Sequence, residues 1–252
     1  MDKYLNNKQK IILITGASKG IGKTCVQTFL EEGFKVALIG RNELTLKETA
    51  NEHPQSLVLP CDVSNPNDVT ASFQRLAGTW GRLDVLFNNA GIGNPSRMPD
   101  EMTYEEWKEV IDINLNGSFL CAQAAFRLMR KQNPQGGRII NNGSVSAHVP
   151  RPGSAPYTAS KHAITGLTRS LSLDGRPFNI TCSQIDIGNA RTEMVKKMST
   201  GVPQADGSIK PEATMDPKHV AASVLNIANL PTDTNVQFMT IMATKMPYIG
   251  RG

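Results

Sequence analysis

The chain has 252 residues, of which 39% are hydrophobic and 19% charged, so it can bury one large core without a disulfide or a metal, and disorder is not expected. Lys and Arg outnumber Asp and Glu by 27 to 22, which gives a net charge of +5. This charge suits a small ligand that carries phosphate. The basic residues are scattered and only 6% of residues are aromatic, which argues against binding of nucleic acid. No apolar run approaches the ~20 residues that span a bilayer. The polar start Met1-Asp2-Lys3-Tyr4 lacks the apolar region of a secretory signal, so we expect a cytoplasmic protein with no membrane contact.

Short β-branched runs alternate with longer helical patterns along the chain. In chain order the pattern predicts a strand at 10–15, a helix at 22–32, a strand at 35–39, a helix at 44–51, a strand at 56–60, a helix at 65–77, a strand at 83–88, a long helix from the Thr103–Glu106 capping box toward Lys131, a strand at 138–142, a helix at 156–173, a strand at 179–185, a helix at 217–229 and a strand at 236–243. Apolar strands that do not alternate are typical of a parallel sheet covered on both faces. The sequence therefore predicts the α/β class, as a single doubly wound Rossmann-type domain over residues 1–252, with about seven parallel strands flanked by helices.

Two segments break this rhythm, residues 93–102 and 191–214. Both follow strand ends, which is the edge where open α/β sheets bind ligands. We expect 191–214 to be a mobile loop over the substrate, and the alternative is an ordinary surface insertion.

The cysteines and histidines show no metal-binding spacing. Cys25, Cys61, Cys121 and Cys182 form no C-x-x-C pair, and the four histidines form no H-E-x-x-H motif. We therefore expect four small buried thiols and no metal.

A glycine-rich turn joins the first predicted strand to the first helix. In 15–22, Thr-Gly-Ala-Ser-Lys-Gly-Ile-Gly, Gly16 allows a tight turn, Gly20 lets the backbone approach a pyrophosphate, and Gly22 lets helix and strand pack closely. The N–H groups of the following helix would face the phosphates. This strand–turn–helix context predicts a dinucleotide site.

The end of the second strand distinguishes the two nicotinamide cofactors. An acidic residue there would bind the ribose 2′-hydroxyl of NAD, but the strand ends in Ile39-Gly40-Arg41-Asn42. Arg41, which can also stack on adenine, and Lys19 can both pair with a 2′-phosphate. The sequence favours NADP(H) over NAD(H); the alternative is two solvated surface charges.

Two further turns follow strands three and four. Asp62, in Cys61-Asp62-Val63, can accept the adenine amino group, and Asn88-Asn89-Ala90-Gly91 can lay its backbone against a ribose. Each signal is weak alone, because such residues are common in turns.

Tyr157 and Lys161 lie at i and i+4 on one helix face, and Ser144 follows the fifth strand. A phenol of pKa near 10 is a poor base at neutral pH. A nearby ammonium favours the phenolate, so we expect Lys161 to lower the pKa of Tyr157 and Ser144 to bind the substrate oxygen.

Through these motifs, nearly the whole chain resembles the short-chain dehydrogenase/reductase family. The resemblance implies a seven-stranded parallel sheet and nicotinamide chemistry, with Tyr157 as acid/base, Lys161 as its pKa modifier and ribose ligand, Ser144 orienting the carbonyl, and Asn114 holding a proton-relay water. It implies a cofactor site formed by Gly16, Ser18, Lys19, Gly20, Ile21, Gly22, Arg41, Asp62, Val63, Asn89, Ala90, Gly91, Tyr157, Lys161, Ile187 and Thr192.

The chain departs from the family in two places. Ile187 stands where Asn-Pro-Gly would place a proline, although its backbone and Thr192 could still bind the carboxamide. The common Val-Asp-Gly-Gly tail is replaced by residues 244–252, in which Tyr248 and Arg251 would lie at a subunit contact or over the substrate pocket, unless they simply pack. The resemblance also implies that the protein forms a homotetramer or a homodimer.

From these motifs and this resemblance we expect an NADPH-dependent oxidoreductase. It would transfer hydride to a carbonyl substrate, either a ketone or a 3-oxoacyl compound, or catalyse the reverse oxidation of an alcohol. The alternative is a non-catalytic NADP-binding regulatory module, which would keep the glycines and could lose the tetrad. The substrate pocket would include Val145, Ser146, His148 and Asn189, with His148 either a substrate contact or an exposed loop residue.

Overall fold

The computed structural model describes residues 10–192 and 201–249. Its strands and helices follow in the order β1 Ile11–Thr15, α1 Gly20–Glu31, β2 Lys35–Gly40, α2 Glu43–Ala50, β3 Ser56–Pro60, α3 Pro66–Trp80, β4 Val85–Asn88, α4 Tyr104–Ile111, α5 Gly117–Lys131, β5 Gly137–Asn142, α6 Ala155–Asp174, β6 Ile180–Ile187, β7 Val202–Pro203, β8 Ile209–Lys210, α7 Pro217–Asn229 and β9 Phe238–Ile241.

Seven of these strands form one parallel sheet in the order β3-β2-β1-β4-β5-β6-β9. From β1, inside the sheet, the chain winds outward to β3 and then returns to build the other half from β4. The predicted doubly wound α/β fold is confirmed, and the reversal of direction beside β1 makes the crevice in which such sheets bind ligands.

Successive residues of the buried strands point to opposite faces of the sheet, and each face carries one apolar cluster. Ile12 and Ile14 pack with α1 and α7, where Val26 and Val224 are fully buried, while Leu13 packs with α3 and α5 on the other face. This double coverage explains why the strands are apolar at consecutive positions.

All four cysteines are free and buried, as the sequence predicted. Among residues 10–192 and 201–249, no helix is long and apolar enough to cross a bilayer.

The long helix predicted from Thr103 toward Lys131 is interrupted. The capping box is present, with Thr103 and Glu106 bonded in both directions, but Asp112–Asn116 form a π-helical turn between α4 and α5. The extra residue in this turn changes the direction of the side chains and carries Asn114 into the interior.

The other differences lie at element ends. Helix α6 begins at Ala155, so Pro156 is in its first turn but not its first residue, and Gly175 is right-handed, with the reversal made at Asn179 (φ 55°). The predicted loop 191–214 contains the short antiparallel pair β7–β8, and its residues 193–200 lie outside the described chain.

Candidate active site

The turn between β1 and α1 has room for glycine alone at its key positions. Gly16 and Gly20 have φ of +64° and +55°, a region that other residues rarely adopt. A Cβ on Gly16 would lie 2.9 Å from the Ala90 Cα, and one on Gly22 would lie 2.1 Å from the Gly16 carbonyl oxygen. The turn is therefore pressed against both its own helix and the loop after β4.

The N-terminus of α1 is open to an anion. Its N-cap, Lys19, makes no side-chain cap, and its first turn has no acidic residue, whereas α2, α3 and α4 are capped by Asn42, Asn65 and Thr103. Free N–H groups beside a cradle that a Cβ would fill fit a pyrophosphate.

A hydrogen-bond network connects this turn to the ends of β4 and β5. The backbone N–H groups of Asn89 and Ala90 both donate to the Thr15 hydroxyl at 2.9 Å. The Asn89 amide donates to the Thr15 and Gly16 carbonyls at 2.9 and 3.3 Å, and the Asn142 amide donates to Asn89 Oδ1 at 2.9 Å. Three strand ends are thus held in fixed register at one edge of the sheet.

Lys19 and Arg41 are both exposed near this edge. Asp62 Oδ1 accepts bonds from the Ser64 N–H at 2.9 Å and from its hydroxyl at 2.7 Å. Partial burial raises the pKa of Asp62, but the bonds from Ser64 and the charge of Arg41 outweigh it, so its pKa lies below the usual value. Arg41 therefore interacts electrostatically with Asp62.

The remaining predicted cofactor residues divide between the glycine turn and the apolar core. The Ser18 carbonyl accepts from the Thr49 hydroxyl at 3.4 Å, and Ile21 packs on the core. The Val63 side chain is a core residue, since a Cβ on Gly117 would lie 2.7 Å from its Cγ2. Thr192 Cγ2 would lie 3.2 Å from a Cβ on Gly20, which places Thr192 beside the glycine turn.

Asn114 braces the loop after β4 against α6. It is 1% exposed, exchanges two bonds with the Ile92 backbone at 2.8 and 3.0 Å, and donates to the Ser160 hydroxyl at 3.3 Å. A Cβ on Gly91 would lie 3.2 Å from Asn114 Oδ1. The relay water assigned to Asn114 by resemblance stays a prediction.

Tyr157, Lys161 and Ser144 come together where α6 crosses the end of β5. Lys161 is 5% exposed, its Nζ lies 5.5 Å from the Tyr157 ring centroid, and it donates to the Asn142 carbonyl at 2.7 Å. The Ser144 side chain bonds to that of Tyr157. The fold thus brings together the three side chains that the sequence predicted to act as one group.

Burial controls the ionisation of this group. It lowers the pKa of Lys161 to about 8, although the negative charge of Asp186 opposes the change. It raises the pKa of Tyr157 by more than the Ser144 bond and the charge of Arg151 lower it. The expected lowering of the Tyr157 pKa by Lys161 is therefore wrong for these protein groups, because desolvation of the phenolate outweighs the Ser144 hydrogen bond and the charge of Arg151.

Asp186 is a site residue that the sequence reasoning missed. It is 1% exposed, and its Oδ1 accepts from the Ser144 N–H at 3.0 Å and from the Gln184 amide at 2.7 Å, while its Oδ2 lies 2.9 Å from His148 Nε2. The signal was the replacement of Asn-Pro-Gly, which we interpreted only through the lost proline. His148 is an exposed loop histidine that is nonetheless bonded to a buried carboxylate.

Ile187 was expected in the turn after the sixth strand. It lies inside β6, paired with Ile241 of β9, and its side chain is 6% exposed in the core. Strand pairing extends past the predicted end because β9 continues the sheet beside it.

An ion pair connects the loop before α6 to the segment after β8. Arg151 Nη2 lies 2.5 Å from Glu212 Oε2 and 3.0 Å from Asn189 Oδ1, and the Asn189 amide donates to Glu212 at 2.8 Å. The Glu212 side chain is 1% exposed. Polar contacts thus fix part of the predicted substrate loop to the protein.

The unusual C-terminal tail packs on the core. Met246 is 7% exposed, its Sδ accepts from the Asn189 N–H at 3.4 Å, and Tyr248 packs against the same apolar cluster. Ordinary packing thus describes Tyr248, while Arg251 lies outside the described residues.

A family model described as short chain dehydrogenase matches residues 10–202. Among curated proteins, the 3beta-hydroxysteroid dehydrogenase of Mediterraneibacter gnavus is 36% identical over 200 residues, which cover 77% of this chain and 71% of that protein.

Two solved structures show the same fold. The 3-ketoacyl-(acyl-carrier-protein) reductase of Brucella melitensis, complexed with NADH, superposes with a TM-score of 0.83 at 24% identity and covers 94% of this chain and 98% of its own. The closed form of serine dehydrogenase, complexed with NADP+, gives a TM-score of 0.86 at 24% identity and covers 96% and 98%.

Proposed function

The chain belongs to the short-chain dehydrogenase family, and from the geometry of its site we propose that it is an NADPH-dependent reductase of ketones or 3-oxoacyl compounds. Membership makes it an NAD(P)-dependent oxidoreductase that interconverts alcohol and carbonyl groups. The finer proposal concerns the residues, the preferred cofactor and the substrate class.

One continuous set of contacts carries the proposal. Lys161 Nζ donates to the Asn142 carbonyl, the Asn142 amide donates to Asn89, and the Asn89 amide donates to Gly16. Three successive hydrogen bonds therefore connect the acid/base group to the glycine turn. A dinucleotide whose pyrophosphate lies at that turn would present its other end near Tyr157.

The cofactor, when bound, supplies hydride to the carbonyl carbon. The protein then has to bind and protonate the oxygen. Ser144 holds the oxygen by a hydrogen bond, Tyr157 transfers its hydroxyl proton to it, and the Lys161 ammonium stabilises the phenolate that remains. In alcohol oxidation the same proton moves back to Tyr157.

Lys161 fits this role because its pKa of about 8 leaves it mostly charged at neutral pH. The Tyr157 hydroxyl keeps its proton in the resting protein, because burial holds its pKa above the usual value. A protonated phenol beside an ammonium is the state that a carbonyl reduction requires at its start.

The proposed NADPH preference is supported by Lys19 and Arg41, two exposed cations of which one is the N-cap residue of α1 and the other directly follows β2. Arg41 also interacts electrostatically with Asp62. A phosphate would add a second acceptor for the planar guanidinium.

The test is NADPH and NADH oxidation by the purified protein against ketones and 3-oxoacyl thioesters, with cofactor binding followed by Trp fluorescence. We expect turnover with NADPH and a clear preference over NADH. Arg41→Ala should weaken NADPH binding at least tenfold more than NADH binding, whereas Lys131→Ala, which removes an exposed cation at the end of α5, should change neither.

Failure of both cofactors to bind below millimolar concentration would contradict the proposal. Equal losses of NADPH and NADH affinity in Arg41→Ala would remove only the 2′-phosphate contact. Tight NADPH binding without turnover on any carbonyl would instead support a regulatory module.

A further inference from the structure

We propose that the Asp186 carboxylate, held by His148, is a positioning residue that fixes Ser144 and supplies the negative charge of the acid/base group. This inference rests on the proposed function, because it concerns the same acid/base group. Asp186 itself sits behind that group, at the end of β6.

The site is built to accept a buried carboxylate at this point. Asp186 is 1% exposed and receives three donors: the Ser144 N–H, the Gln184 amide and the His148 ring. The backbone leaves space for it, since a Cβ on Gly143 would lie 2.1 Å from Asp186 Oδ1 and only glycine fits there. Three hydrogen bonds compensate the buried charge of this carboxylate, and the absence of a side chain at Gly143 leaves the space that it occupies.

The carboxylate is connected to each acid/base residue in a different way. It binds the backbone of Ser144 directly at 3.0 Å, so the direction of the Ser144 hydroxyl depends on it. The Ser144 hydroxyl in turn bonds to Tyr157. Its negative charge also favours the protonated form of Lys161.

His148 provides the solvent-side contact of the carboxylate. Its side chain is 42% exposed, while its Nε2 lies 2.9 Å from Asp186 Oδ2. It follows the 3₁₀ turn Val145–Ala147, which begins at Ser144. The His148 ring and the Ser144 N–H therefore hold the carboxylate from two points of one short loop.

The ionisable groups that interact here can be named among the described residues. Tyr157 and Lys161 come from α6, Asp186 from β6, and His148 and Arg151 from the loop before α6. Asn142 from β5, which accepts the Lys161 bond, is neutral. Asp186 is the negative charge that acts on Lys161.

The test is the pH dependence of kcat for NADPH-driven carbonyl reduction in Asp186→Asn, which keeps the shape and removes the charge. Without that charge Lys161 loses its proton at lower pH, so the alkaline limb of kcat should move down by about one pH unit and kcat at pH 8 should fall about fivefold. NADPH affinity should stay within about twofold of the parent. Asp174→Asn, which removes an exposed carboxylate at the far end of α6, is the matched control and should leave the profile unchanged.

A second variant separates positioning from folding. His148→Ala removes an exposed side chain and should lower kcat several-fold without changing NADPH affinity. The double variant should lose little more than Asp186→Asn alone, because both changes act through one carboxylate.

If the parent enzyme is active, the proposed function stands, and three results would still overturn the inference. The first is a kcat of Asp186→Asn equal to that of the parent. The second is a loss of kcat in Asp186→Asn that is the same at every pH, with an unmoved alkaline limb, and the third is multiplicative losses of kcat in the double variant. If Asp186→Asn does not fold, parental kcat at every pH in His148→Ala overturns it. An inactive parent enzyme would instead contradict the proposed function.

Discussion

At the scale of one residue, Lys161 is a buried charge that lowers the stability of the fold and that the proposed proton transfer requires. The residue is 5% exposed, and the hydrogen bond from its ammonium to the Asn142 carbonyl replaces only part of the hydration of that group. Burial is therefore the largest influence on its pKa, which falls to about 8. A residue chosen for stability at this position would be neutral.

Lys161→Met should stabilise the protein at neutral pH. The folded-state pKa of about 8 lies below the ordinary 10.5, so between these values the unfolded chain binds more protons and stability rises with pH. The burial penalty is fully present below pH 8. Removing it should raise the free energy of unfolding at pH 7 by about 2 kcal/mol, after allowance for the lost bond to Asn142. The gain should disappear between about pH 9 and pH 10, where the remaining burial penalty no longer exceeds the free energy of that bond.

Urea denaturation of the parent and of Lys161→Met at pH 7 and pH 10 measures this difference. Carbonyl reduction by the variant should be lost at both values. An equal destabilisation at both pH values would show that Lys161 contributes packing rather than a buried charge.

At the scale of elements, the β1–α1 turn is the most constrained part of the site. Its glycines contact backbone on both sides: Gly16 faces Ala90, and Gly22 faces the Gly16 carbonyl. Backbone cannot move aside as a flexible side chain can. Helix α1 therefore keeps its open N-terminus at one position relative to β4.

Gly22→Ala should destabilise the protein and abolish NADPH binding, because the added methyl would lie 2.1 Å from the Gly16 carbonyl oxygen. We expect a loss of roughly 3 kcal/mol or more in urea denaturation. Gly78→Ala is the control. Gly78 lies in α3 with nothing within 4 Å of an added Cβ, so that variant should gain up to ~1 kcal/mol from helix propensity. Similar effects of the two changes would contradict this view of the turn.

The elements were mostly predictable, and the exceptions have physical causes. The 3.6-residue period found α1 and α7 because each buries one face against the sheet. The same period cannot show the π-helical turn that contains Asn114, since one extra residue barely changes an apolar pattern. Asp186 was not predicted as a site residue because its partners Ser144 and His148 lie about 40 positions earlier in the chain.

At the scale of the whole molecule, polar contacts hold a long surface segment over the carboxyl edge of the sheet. Glu212 and Asn189 both bind Arg151, which also acts electrostatically on Tyr157. Residues 201–214 are therefore tied to the loop that carries Ser144. Closure of a lid over the substrate remains a prediction.

Glu212→Ala should loosen this segment, because it removes a buried partner of the Arg151 guanidinium. We expect faster hydrogen exchange in peptides covering 201–215 and a loss of about 3 kcal/mol in stability. Lys210→Ala is the control in the same segment: its ion pair with Asp206 is 61% exposed on both sides and should matter little. Unchanged exchange in Glu212→Ala would show that the ion pair does not hold the segment.

The proton transfer assigned to Tyr157 is tested most directly by Tyr157→Phe, measured as NADPH oxidation with a carbonyl substrate alongside NADPH affinity. Loss of the hydroxyl leaves the glycine turn and the Asn89–Asn142 contacts in place. We expect turnover to fall by at least ~10² while NADPH affinity stays within about twofold. Turnover close to that of the parent would contradict the role of the phenol and with it the mechanism proposed for this site.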